Sequence, residues 1–152
     1  MISPSELAER RERLLEHCRS NGLAGFVLFD ESYVRYFGGF TFLATERPVA
    51  FVVNAAGDAA VFVPEFEVER VLAESRFDRV ASSPEYPGEE HPMRILERVL
   101  EDMGMRGALG AEQDGYPGIL GYQGPALSEV GGHDVFPLAP FIEQMLVRKS
   151  ER

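Results

Sequence analysis

Tryptophan is absent from these 152 residues, cysteine and lysine occur once each, and asparagine occurs only twice. A lone cysteine, Cys18, excludes an internal disulfide and any multi-cysteine zinc or iron–sulfur site. A reducing, cytoplasmic setting is the expectation. No apolar run approaches the roughly 20 residues of a membrane-spanning helix. Met1 to Arg13 is too charged for the apolar centre of a signal peptide, so secretion is not expected. The phosphate-cradling patterns G-x-x-x-x-G-K-[ST] and G-x-G-x-x-G are missing, and so are G-x-S-x-G and H-E-x-x-H. Positive charge is scarce too: fifteen Lys and Arg against twenty-five Asp and Glu leave −10. A field of that sign repels phosphate backbones and acidic lipid, so neither nucleic acid nor a membrane is expected as a partner.

What is present has the balance of one globular domain, 45% hydrophobic and 26% charged. Ser3-Pro4-Ser5-Glu6 is a helix start, with Ser3 as cap and Pro4 in the first turn. Leu7, Leu14, Leu15 and Cys18 form its apolar stripe, and Gly22 its stop. Gly25 to Phe29 predicts a buried strand, and Ser32 to Phe37 one helical turn before Gly38-Gly39. Residues 48–53 and 59–63 flank a Gly-Asp loop and predict a hairpin. Helical spacing continues from Glu65 to Ser75, with a weaker strand from Phe77 to Ala81 and a loop from Ser83 to Pro92. Met93 to Met103 predicts a helix, 108–111 a strand, Ala126 to Val130 a short helix and 134–136 a last strand. A final helix is expected from Pro140. Between them, Gly115, Gly118, Gly121 and Gly124 alternate with Tyr and Pro in what reads as an ordered, aromatic loop. Alternating strands and helices with one hairpin give an α/β fold with a mixed sheet.

Few residues suggest chemistry. His17 reads as a core or boundary residue, His91 as part of a solvated loop rather than a metal cluster, and His133 as a turn residue. Cys18 lacks a thiolate-stabilising neighbour, because His17 points about 100° away on a helix, and reads as a small buried hydrophobe. Glu65, Glu67, Glu69 and Glu74 form a solvated helix face. The exception is the aromatic, glycine-hinged stretch from Phe37 to Pro48, which carries Arg47 just before a strand. A guanidinium there could hold a carboxylate through two hydrogen bonds. Equally, Phe40 and Phe42 could pack into the core while Arg47 pairs with Glu46, and both readings stand open.

Several stretches in order resemble the N-terminal domain of the creatinase, prolidase and aminopeptidase P family. They are Tyr33-Val34-Arg35-Tyr36-Phe37-Gly38-Gly39-Phe40, Glu46-Arg47-Pro48, Phe62-Val63-Pro64-Glu65-Phe66-Glu67, Leu109-Gly110-Ala111-Glu112 and Met145-Leu146-Val147-Arg148-Lys149-Ser150-Glu151. The last is similar to the joint that leads into that family's catalytic domain. The Asn that precedes the family's turn is replaced by Ser32 or Tyr33, and its Thr by Gly38. The resemblance implies a ribonuclease-H-like α/β domain over 1–147, with 148–152 starting a linker to a catalytic domain. That second domain would hold two divalent metals (Mn, Co or Zn) on two Asp, one His and two Glu; no cofactor is expected within these residues. The implied activity is hydrolysis of the bond before proline in a peptide by an Xaa-Pro dipeptidase or aminopeptidase. This domain would serve homodimerisation and active-site closure, without catalysis of its own. By the same resemblance Arg47 would reach a substrate carboxylate in the partner subunit, with Phe42 as a wall. Creatine-like substrates are also compatible with such a domain.

Two other functions compete. One is a stand-alone peptide- or protein-binding module. The other is a nuclease, by analogy of sheet topology, against which stand the −10 charge and an expected lack of strand-borne carboxylates at the sheet centre.

Overall fold

The computed structural model describes residues 2–74, 77–84 and 90–150. Among them six strands form one sheet: β1 (Gly25–Leu28), β2 (Ala50–Asn54), β3 (Ala59–Pro64), β4 (Arg79–Ser83), β5 (Ala108–Ala111) and β6 (Asp134–Pro137). Their spatial order is β4-β3-β2-β1-β5-β6. Only β2 runs against the others, pairing antiparallel with β1 and β3, while β1/β5, β5/β6 and β3/β4 are parallel. The order β3-β2-β1-β5-β6 with its reversed second strand is the ribonuclease-H-like arrangement, extended at one edge by β4. Every residue of β1, β2 and β3 is buried. These strands therefore read as continuous apolar runs, because helices cover both faces of the sheet.

Six helices surround it: α1 (Pro4–Ser20), α2 (Glu31–Gly38), α3 (Val68–Glu74), α4 (Pro92–Asp102), α5 (Leu127–Gly131) and α6 (Ala139–Ser150). The Ser3 hydroxyl caps α1 by accepting from the Glu6 amide at 3.2 Å. Leu14, Leu15 and Cys18 enter the core, as the helical stripe predicts. The hairpin also forms as read, Val52 facing Ala60. At its turn the Asp58 amide donates to Asn54 Oδ1 (2.9 Å).

Several boundaries differ from the sequence reading. Helix α2 has two turns rather than one, since Asp30 caps its start and Gly39, at φ +77°, ends it in the left-handed conformation. The helix expected over 65–75 opens as a 3-10 turn at Glu65–Glu67 before α3. Strand β4 lies two residues later than expected, since Asp78 is spent joining the chain to Ala59: the Ala59 amide donates to its carboxylate and the Asp78 amide to the Ala59 carbonyl.

The least legible join is between α1 and α2. Arg10 and Arg11 occupy its inner face rather than solvent. Arg10 lies over the Tyr36 ring (3.9 Å) and donates to the Tyr36 carbonyl, while Arg11 donates to the carbonyls of Phe37 (2.7 Å) and Gly38 (3.2 Å). Helix C-terminal carbonyls lack intrahelical partners, and cations favour that end of the helix dipole. Burial holds the Arg11 guanidinium below its ordinary value, against the pull of Asp78.

Candidate functional site

Because β2 alone is reversed, the chain reaches its first residue from the side where β1, β4 and β5 end. Residues after the parallel strands and before β2 thus share the sheet's carboxyl edge, the usual place for ligands in open α/β sheets. Four segments meet there around a cavity of about 280 Å³: Arg47-Pro48, Ser83-Pro84, His91-Pro92 and 120–123. Tyr116 ties two of the contributing loops together, donating from its hydroxyl to the Thr45 carbonyl at 2.7 Å. Its ring meets that of Tyr122 edge-on, and Tyr122 meets His91 in the same way. Burial pushes the Tyr116 and Tyr122 hydroxyls up to about 12, so both remain protonated donors.

Arg47 sits at the cavity with its side chain one-quarter exposed. Its Nε lies 3.8 Å from Glu46 and its guanidinium 5.3 Å from the Phe66 ring centre. That ion pair is too long for a hydrogen bond. No hydrogen bond from the guanidinium is found among the described residues. Phe42 is 5% exposed and packs with Phe40, whereas its neighbour Leu43 is 83% exposed. The phenylalanines thus go inward and Arg47 keeps a loose pair with Glu46, as the packing reading has it, while the arginine also borders the cavity.

The histidines divide differently from expectation. His91, expected in a solvated loop, instead caps α4, its Nδ1 accepting from the Met93 amide at 3.0 Å. The signal was a His-Pro step at the start of an apolar helical repeat, where proline suits the first turn and the residue before it serves as cap. His133 is buried, with Nδ1 3.0 Å from the Gly107 carbonyl and Nε2 2.6 Å from Glu97, so it links the α5–β6 turn to α4. His17 stacks on Phe141 of α6 at 3.8 Å. Cys18 is fully buried, and burial pushes its thiol up to about 12, as a small core residue rather than a nucleophile requires.

None of the strands β1, β2, β3 and β5 bears a carboxylate, but one lies just beyond the ends of β1 and β5. Glu112 follows β5, and its two oxygens accept from the amides of Phe29 (2.7 and 3.0 Å) and Asp30 (3.0 Å) at the end of β1. Burial raises its carboxyl to about 7 despite those donors, which favour the charged form, and Asp30 adds to the rise. No local pattern signals this contact, because 82 residues separate Glu112 from Asp30 and only the parallel β1/β5 pairing joins them. Asp30 is itself occupied as the cap of α2. Among the described residues, no three His, Cys, Asp or Glu side chains come together to hold a metal ion. Nor is any helix there long and apolar enough to cross a membrane.

The sequence profile described as creatinase/prolidase N-terminal domain matches residues 10–145. The chain belongs to the creatinase/prolidase N-terminal domain family. Solved structures share its fold. A proline dipeptidase from Streptococcus pneumoniae is 22% identical with a TM-score of 0.69, the alignment covering 90% of this chain and 96% of that one. An Xaa-Pro dipeptidase from Bacillus anthracis is 19% identical with a TM-score of 0.68, and dipeptidase PepE from Mycobacterium ulcerans is 19% identical with a TM-score of 0.67. These cover 91% and 94% of this creatinase/prolidase-type chain, which spans only 35% and 37% of theirs. No curated protein matches at the sequence level.

Proposed function

We propose that this creatinase/prolidase N-terminal domain is the non-catalytic, substrate-gating part of an Xaa-Pro dipeptidase or aminopeptidase. The observation that carries the reading is Arg47: a guanidinium at the sheet's carboxyl edge, beside open space, with no hydrogen bond of its own among the described residues. In a homodimer it would hold a substrate carboxylate in the partner subunit's active site, with Phe42 as the wall behind the loop. In this reading, which takes the family's architecture as its guide, the two divalent ions (Mn, Co or Zn) belong to a catalytic domain outside these 152 residues. The domain boundary would fall near residue 147, the peptide substrate would carry proline, and the setting would be cytoplasmic. Support comes from structural likeness to proline and Xaa-Pro dipeptidases, together with the family profile.

The test is Arg47→Ala in the whole gene product, assayed on Xaa-Pro dipeptides and on longer peptides with proline second. A weakened KM or kcat is expected. Unchanged affinity and turnover would remove Arg47 from substrate binding. Leu43, Phe66 and Leu120, all large, apolar and more than half exposed, favour a second reading as a peptide- or protein-binding module. That reading would be preferred if the whole product bound peptides without cleaving them.

A further inference from the structure

Arg47 stands in a stretch with few bonds of its own. Between α2 and β2, residues 39–49 form neither helix nor strand. Phe40 and Phe42 anchor the first half in the core. Beyond them the backbone is held through Thr45. The Arg47 amide donates to Thr45 Oγ1 at 3.2 Å, and the Thr45 carbonyl accepts from the Tyr116 hydroxyl at 2.7 Å. Among the described residues, the bond from Tyr116 is the only hydrogen bond that ties residues 40–48 to another part of the chain. Pro48 then limits Arg47 to an extended backbone and is itself buried.

The tyrosine side of this bond is built on firmer ground. Immediately after β5, Glu112 is fixed to the amides of Phe29 and Asp30. Asp114 next holds the start of α5: its carboxylate accepts from the Ser128 amide at 2.8 Å and its carbonyl from the Leu127 amide at 3.2 Å. Gly115 turns the chain at φ +132°, a conformation that side chains rarely adopt. Tyr116 follows, 6% exposed, with its ring edge-on to Tyr122 at 5.2 Å. Burial, aided by the charges of Glu31 and Glu46, keeps its hydroxyl protonated and donating. Tyr116 is not among the side chains that line the cavity, whereas Arg47 is.

We propose that Tyr116 is a positioning residue for Arg47: its hydroxyl, presented by the β5–α5 segment, fixes the turn from which the guanidinium projects. The inference rests on the reading of Arg47 as a carboxylate holder and adds to it the residue that sets where that holder stands. Tyr116 acts through the Thr45 carbonyl, and Thr45 passes the constraint through Oγ1 to the Arg47 amide. A bidentate contact between guanidinium and carboxylate is demanding in geometry, and a misplacement of about 1 Å can cost roughly 100-fold in rate. Removing the hydroxyl alone leaves the Tyr116 ring packed and Phe40 and Phe42 in the core. What it releases is the turn over residues 45–47.

The experiment is steady-state kinetics of the whole gene product on alanyl-proline and on alanyl-proline amide. Tyr116→Phe, Arg47→Ala and the double variant are compared with the unchanged protein. Tyr116→Phe is expected to lower kcat/KM for the dipeptide about tenfold, mainly through KM. It should leave the amide nearly unchanged and add nothing once Arg47 is replaced. A role in folding alone would slow both substrates and persist in the double variant, which overturns the proposal. Full activity of Tyr116→Phe beside an impaired Arg47→Ala also overturns it, while Arg47 keeps its role. If Arg47→Ala changes nothing, the carboxylate-holder reading fails and the proposal falls with it. Should Tyr116→Phe not fold, Thr45→Val and Thr45→Ser decide: valine should reproduce the tenfold loss and serine restore activity, and equal activity of the two overturns the proposal. If the product binds the dipeptide without cleaving it, the same ratios are read from dissociation constants. Absence of both binding and cleavage overturns reading and proposal together.

Discussion

Replacing Glu112 by glutamine should change how stability depends on pH. In the folded chain this carboxyl sits at about 7 instead of 4.5, burial being the main cause. The folded state therefore holds the proton more tightly than the unfolded chain. Its stabilising contribution is complete below about pH 4.5 and is lost as pH rises through about 7. A rise of that size is worth roughly 3 kcal/mol at the top of the window. The amide side chain of Glu112→Gln would keep one oxygen for the backbone amides of Phe29 and Asp30 but could not ionise. Urea denaturation at pH 5 and pH 8 isolates the effect, because the other titrating groups are common to both proteins. The unchanged protein should lose up to roughly 3 kcal/mol more than Glu112→Gln between those pH values. Parallel pH profiles would refute the reasoning. So would a protein whose stability rises with pH relative to the variant, which would mean that the amide donors outweigh burial and hold the carboxylate charged.

Other consequences can be measured on the same 152 residues. Arg11→Met should cost roughly 1–3 kcal/mol in denaturant, because it strands the carbonyls of Phe37 and Gly38 at the end of α2. Gly25→Ala should destabilise by at least about 2 kcal/mol or abolish folding. Its φ is +142° and a Cβ would fall 2.2 Å from the Val53 carbonyl oxygen, so a fully stable variant would contradict the strand geometry. Cys18 should resist iodoacetamide in the native protein at pH 8 and react only on unfolding, since its thiol is buried and raised to about 12. Rapid native labelling would show that α1 opens locally.

Much of the fold could be read from local chemistry. The Ser3-Pro4 start, the Cys18 stripe and the hairpin around Gly57 depend on residues close in sequence, where capping, helical spacing and turn preference act directly. Other features depend on partners far along the chain. Nothing near Arg10 and Arg11 in the sequence signals their partners, the three carbonyls that α2 places against them. The difference at β4 has the same origin, since Asp78 is claimed by the hairpin strand beside it. His133 looked like a turn residue because Glu97, its partner, lies 36 positions earlier.

The candidate site shows the same division. Arg47 stood out by itself, as one cation in an aromatic loop before a strand. Its company did not: His91, Tyr122 and Leu120 come from two segments that only the sheet's carboxyl edge brings to it. Composition, apolar periodicity and short-range capping determined that this chain is one α/β domain with a mixed sheet and an unusual arginine-bearing loop. Tertiary structure decided which strand is central, which carboxyl is buried beside it, and which side chains share a cavity. Those properties belong to pairs of residues far apart in sequence, brought within bonding distance only when the strands align.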